Sequence, residues 1–113
     1  MNYLELVQIA EKVALAAGEL LLDRPANLEV STKSSEVDVV TQMDRASEAL
    51  ITSMLAQLRP ADGLLGEEGA DVASKSGVTW VVDPIDGTVN YLYGLPGWNV
   101  SIAAKDSQGV VVG

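Results

Sequence analysis

Three acidic pairs stand out by residue type and spacing: Asp38 with Asp44, Glu67 with Glu68, and Asp83 with Asp86. Each falls where a strand or loop gives way to another element, the kind of place from which side chains converge on a cleft. Two carboxylates held a few Å apart repel by roughly 4 kcal/mol at an effective dielectric near 20, so a shared site needs a proton or a cation. Oxygen ligands of this hardness suit Mg²⁺. Cys and His are both absent, which excludes thiolate nucleophiles, Cys/His zinc sites and histidine-based triads. Carboxylates, hydroxyls, lysines and backbone groups remain for chemistry.

The hexapeptide Asp83-Pro84-Ile85-Asp86-Gly87-Thr88 carries the sharpest of these signals. Trp80-Val81-Val82 delivers Asp83 at a strand end, and the proline fixes a turn that presents Asp86 three residues later, so one ion can be bridged by both. Gly87 permits close backbone approach, and a helical turn starting at Thr88 would point free N–H groups at a phosphate. The same six residues also read as an Asp-Pro…Asp-Gly surface turn. Gly66-Glu67-Glu68-Gly69 is equally a solvated acidic loop, Asp44 a capping-box residue three after Thr41, and Lys33 a solvated strand-end lysine or a counter-charge beside a metal.

The elements that must position these groups follow from periodicity. Leu6, Ile9, Val13, Ala17 and Leu20 recur three or four apart, so Tyr3 to Leu22 forms a helix, with Asn2 and Glu5 as a capping box and Pro25 beyond its end. The wide apolar face completed by Val7, Ala10, Ala14 and Leu21 predicts burial against more than one neighbour. Leu28 to Thr32 reads as a strand and Lys33-Ser34-Ser35-Glu36 as a mobile loop. A second helix is expected from Gln42 to Arg59, capped by Thr41, with Ala46, Leu50, Met54 and Leu58 in one row and Ile51 and Leu55 beside it. Leu64-Leu65, Val78–Val82, Val100–Ala104 and Val110–Val112 read as strands, the last two joined through the Asp106–Gly109 turn as a hairpin. The resulting class is α+β, helices layered on a partly antiparallel sheet.

With 113 residues, 48% of them hydrophobic, the chain has the size of one small folded domain. It contains no Phe, so packing rests on Leu, Val, Ile and Ala, and Trp80, Tyr91, Tyr93 and Trp98 are expected in the core or at its rim. Sixteen acidic against seven basic residues leave a net charge of −9, which repels nucleic acid and anionic membrane and favours cations. The N-terminus has no basic region before an apolar stretch, and Glu11, Lys12 and Glu19 interrupt the first helix, so a cytoplasmic location without membrane insertion is expected. The apolar run Val110–Val112 has no covering element after it, so the chain reads as cut in mid-sheet and prone to self-association there.

Trp80-Val81-Val82-Asp83-Pro84-Ile85-Asp86-Gly87-Thr88-Val89-Asn90-Tyr91 closely resembles the signature of the inositol monophosphatase family. Asp38-Val39-Val40-Thr41-Gln42-Met43-Asp44 is similar to that family's D-x-V-T-x-x-D segment, Gly66-Glu67-Glu68 to its G-E-E, and Asn99–Ala103 to the strand after the signature. The resemblance implies Mg²⁺-dependent, lithium-sensitive hydrolysis of a small phosphate monoester such as inositol 1-phosphate. It implies Glu67, Asp83, the Ile85 carbonyl and the Thr88 hydroxyl around a first Mg²⁺, and Asp83 with Asp86 around a second. It further implies Asp44 paired with Thr88 to orient and deprotonate water. Asp86, Gly87 and Thr88 would meet the phosphate, and Lys33 and Glu67 would join Asp44 and Thr88 in the catalytic set.

The implied architecture is the layered αβαβα sugar-phosphatase-type fold. Residues 1–113 would supply its N-terminal two helices and most of a first, largely antiparallel sheet. The C-terminal part, which adds another metal ligand and most contacts to the substrate ring, is absent from this sequence, and the full-length form is expected to be a homodimer. Histidinol phosphatase or another phosphomonoesterase of the same superfamily is the alternative activity. A non-catalytic metal-binding or interaction fragment is the alternative of a different class.

Overall fold

Asn2 stops the first helix from fraying: its backbone is extended and its side-chain oxygen accepts the Glu5 N–H at 3.1 Å. The helix, α1, runs Tyr3–Leu22, as its periodicity predicts. In the computed structural model, residues 2–23, 33–67 and 69–113 are described, residues 33–41 by their backbone alone. The expected strand Leu28–Thr32 lies outside the described residues.

The second helix, α2, spans Lys33–Leu58 and so begins earlier than expected. Lys33–Glu36 is helical rather than looped, and Thr41 lies inside the helix rather than at its cap. Neither Gly nor Pro interrupts the sequence from Lys33 to Leu58, so nothing halts propagation of the backbone ladder, and a polar composition alone does not. The buried row also differs from the expected one. Met43, Ser47, Ile51 and Leu55 face inward, while Ala46 is exposed and Leu50 and Met54 are only partly covered. The inward row contains a serine because the sheet offers that serine the Pro84 carbonyl to hydrogen-bond.

Four strands follow: β1, Gly63–Gly66; β2, Asp71–Val72; β3, Thr79–Asp86; and β4, Asn99–Lys105. A single turn of helix, α3, occupies Thr88–Leu92 between the last two. The strand order is β2-β1-β3-β4, with β1 parallel to β3 and the other two pairings antiparallel. The mixed sheet with helices on one face is the α+β arrangement expected, though the short edge strand β2 has too few residues to signal itself by alternation. Val110–Val112 returns along β4 as the hairpin predicts, through the Val111–Lys105 antiparallel bridge and the Val112 N–H donated to the Ala104 carbonyl at 2.8 Å, but too irregularly to form the full strand expected. The Asp106–Gly109 turn does close: Asp106 donates its N–H to Val110 and its side chain accepts from Gln108 and Val110.

The main core lies between the helices and the sheet, where Leu6, Val13 and Ala17 of α1 and Ile51 and Leu55 of α2 meet Leu64, Trp80, Val82 and Ala104. A second cluster of Leu21, Met43, Ile85 and Tyr91 fills the end where the acidic motif sits. The wide face of α1 is buried only along Leu6, Val13, Ala17 and Leu21, and Leu4, Val7 and Leu15 are exposed. Trp80 and Tyr91 are wholly buried and Trp98 half-buried, in line with the expectation for the aromatics, whereas Tyr93 is exposed.

Asp62, in the turn before β1, anchors the opposite end of the sheet. Its carboxylate accepts from Arg59 at 2.7 and 3.1 Å, from the Ser76 hydroxyl at 2.6 Å and from the Trp80 indole at 2.8 Å. Burial alone would raise its pKa, but these donors outweigh that and hold the carboxyl below its ordinary value. The same hydrogen bond raises the Arg59 pKa.

Candidate functional site

The acidic motif owes its shape to a bulge in β3. Through Asp83 the strand alternates regularly, with Trp80 and Val82 inward and Val81 outward, in register Val82 to Ile102 and Asp83 to Ser101 of β4. Pro84 has no N–H to give the ladder, and the register then shifts: Asp86 pairs with Asn99, three steps on β3 against two on β4. Pro84 and Ile85 are both buried, so the alternation repeats inward once and returns Asp86 to the outward side that Asp83 occupies. In an unbroken strand, residues three apart would lie on opposite faces. The bulge is therefore what puts the two carboxylates on one side.

Gly87 follows at φ +83°, and a Cβ there would lie 2.6 Å from the Gly97 carbonyl oxygen, so neither the backbone conformation nor the space admits a side chain. That close approach seats α3. Tyr91 of α3 donates its hydroxyl to the Leu21 carbonyl at 2.8 Å and meets the Trp98 ring edge-on at 5.1 Å. The chain is thus pinned on both sides of the motif.

Around this frame the predicted ligand oxygens take these places. One Asp83 carboxylate oxygen, Oδ1, is buried with no hydrogen-bond partner among the described residues. A buried, unpaired carboxylate oxygen is costly unless a proton or cation meets it. The Thr88 hydroxyl donates to the Ile85 carbonyl at 3.1 Å, which brings two uncharged oxygens of the motif together. An all-oxygen donor set with an orphaned carboxylate oxygen fits a hard divalent cation. Asp86 is exposed, and Glu67 sits in the exposed turn after β1. Among the described residues no three acidic side chains are gathered tightly enough to form a metal cluster. Asp44 is half-buried on α2, beyond that helix's first turn and so outside a capping role. Asp38 and Lys33 are placed only by backbone, on α2, so Lys33 heads a helix rather than ending a strand; Glu68 lies outside the described residues.

Two residues that motif reading passed over hold these parts together. The buried Ser47 hydroxyl donates to the Pro84 carbonyl at 3.0 Å, and the adjacent Glu48, 5% exposed, accepts the Ala70 N–H at 3.2 Å. The available signal was spacing: Glu48 follows Asp44 by four, which stacks both carboxylates on one helix face.

Comparison with known proteins agrees with the motifs. The family model for the inositol monophosphatase family matches residues 2–113. An inositol-1-monophosphatase of Mycobacterium bovis is 54% identical over 81 residues, which cover 67% of this chain and 28% of the relative. A histidinol-phosphatase of Streptomyces coelicolor is 38% identical over 109 residues, 95% of this chain and 40% of the relative. Among solved structures, the inositol monophosphatase from Anabaena superposes with a TM-score of 0.76 at 31% identity, covering 98% of this chain and 38% of that one. The chain therefore spans well under half the length of these relatives.

Proposed function

The chain belongs to the inositol monophosphatase family, and from that premise we propose that it carries the metal- and water-binding side of a phosphatase that hydrolyses myo-inositol monophosphate to inositol and phosphate with Mg²⁺. The observation that carries the reading is the buried Oδ1 of Asp83, without a hydrogen-bond partner among the described residues, in the same motif as the hydrogen-bonded Ile85 and Thr88 oxygens. Asp83, Glu67, the Ile85 carbonyl and Thr88 would hold one ion, and Asp83 with Asp86 a second. When bound, such a pair lowers the pKa of a water and steadies the leaving oxygen.

The remaining work falls to the protein. Asp44 and Thr88 orient the attacking water, Asp44 receiving its proton. Backbone N–H groups of Gly87 and Thr88 receive the phosphoryl oxygens, where charge must be held as the phosphoryl group transfers in line. Lys33 balances the negative charge of the cluster. Ser47 and Tyr91 keep this frame in place through their hydrogen bonds to Pro84 and Leu21. Lithium sensitivity, a homodimer of the full-length form and a cytoplasmic location belong to the same proposal. No described helix is long and apolar enough to cross a membrane.

The match to a histidinol-phosphatase supports a second substrate, histidinol phosphate, served by the same metal side. Phosphate release from the two monoesters, with and without Mg²⁺, tests both. Mg²⁺-dependent release from inositol 1-phosphate that disappears in Asp83→Asn supports the first reading, and release from histidinol phosphate alone supports the second. Saturable Mg²⁺ binding without release confines residues 1–113 to the metal-binding role. Release that persists in Asp83→Asn, or neither release nor binding, overturns the assignment.

A further inference from the structure

The side chain of Glu48 is buried on α2 and is none of the proposed metal ligands. Its Oε2 accepts the backbone N–H of Ala70, twenty-two residues further along. Gly66 supplies the space it occupies: a Cβ at that position would overlap both carboxylate oxygens and the Cδ of Glu48. Gly66 in turn donates its N–H to the Ala70 carbonyl at 2.9 Å, closing the loop that carries Glu67. The carboxylate of Glu48 is therefore seated against the base of that loop. One residue earlier, Ser47 holds the Pro84 carbonyl at the centre of the Asp83–Asp86 bulge. Two consecutive residues of one helix thus grip the two acid-bearing segments, which arrive from different strands.

We infer that Glu48 is a positioning residue: through Ala70 and Gly66 it sets the place of Glu67 relative to Asp83 and Asp86, and with it the affinity of the site for a divalent cation. The inference rests on the metal-site reading above. A supporting residue of this kind typically changes metal affinity by 10- to 100-fold when lost. Glu48→Gln keeps an acceptor oxygen for Ala70, whereas Glu48→Ala removes it. Gly66→Ala drives a methyl into the seat of the carboxylate.

The test combines Mn²⁺ titration of the 113-residue chain by electron paramagnetic resonance with amide hydrogen exchange at Ala70. Glu48→Ala is expected to speed exchange at Ala70 and weaken Mn²⁺ binding about tenfold or more, with Glu48→Gln restoring both to near wild type. Gly66→Ala should weaken binding similarly, yet add little in the Glu48→Ala background, because the two changes disable one contact. Unchanged exchange at Ala70, faster exchange with unchanged Mn²⁺ affinity, or additive effects of Gly66→Ala and Glu48→Ala each overturn the proposal. If Glu48→Ala does not fold, Glu48→Gln and Gly66→Ala carry the same comparison. A wild-type chain without saturable Mn²⁺ binding is a different result, refuting the site reading itself.

Discussion

Replacing Asp62 with Ala takes one acceptor away from three donors at once. The Trp80 indole N–H, on a residue with 0% exposure, cannot reach water in its place. A buried donor left unpaired costs about 1–3 kcal/mol. The Arg59 guanidinium loses a bidentate partner, and hydrogen bonds to a charged group are worth about 1.5–3 kcal/mol. Arg59 keeps 26% of its side chain exposed and rehydrates in part, which draws that cost toward its lower end. The sum points to about 3–5 kcal/mol in urea unfolding, or a fall of roughly 12–20 °C in Tm at about 4 °C per kcal/mol for a domain this size. The pH dependence has a definite sign. The folded carboxyl titrates below its unfolded value, so its stabilisation is fully present above the unfolded pKa near 3.9 and is lost as pH falls through the lower folded value. The gap between wild type and Asp62→Asn should be constant above about pH 5 and shrink steadily below about pH 4. A loss under about 1 kcal/mol in Asp62→Ala would refute the reasoning, since the unpaired Trp80 donor alone sets that floor. So would a gap that widens in acid.

Gly87→Ala combines a left-handed backbone with a 2.6 Å approach to Gly97, and urea unfolding should show a loss of at least about 2 kcal/mol. Tyr91→Phe leaves the Leu21 carbonyl without the hydroxyl that reaches it at 2.8 Å. It should cost about 1–2 kcal/mol by the same assay, with the edge-on contact to Trp98 preserved in near-ultraviolet circular dichroism.

Local patterns carried the sequence reading where a single element decides the outcome. The Asn2 cap, the inward stripe of α1 and the apolar runs of β1, β3 and β4 are set by neighbours within four residues. What escaped depends on distant partners. By its sequence the strand ends at Val82 with a turn after it, whereas β3 continues through Pro84 to Asp86 with a bulge, because Asn99 of β4 pairs with Asp86 beyond the register shift. Ser47 turned the buried row of α2 toward itself because Pro84, thirty-seven residues away, presents a carbonyl there. Glu48 faces inward because Gly66 leaves it room, and no helical periodicity encodes a glycine on another strand. Thr41 had the right chemistry for a cap, but a cap needs a chain that stops being helical, and the uninterrupted residues before it do not stop. β2 has only two residues, too few for alternation to register, and exists because the Gly66–Ala70 hairpin returns the chain beside β1.

The central claim is that the orphaned oxygen of Asp83 marks a divalent-cation site, and isothermal titration of Mg²⁺ into wild type and Asp83→Asn addresses it most directly. A saturable Mg²⁺ signal in wild type that vanishes in a folded Asp83→Asn chain is the result expected. Equal binding by the two chains would contradict the claim.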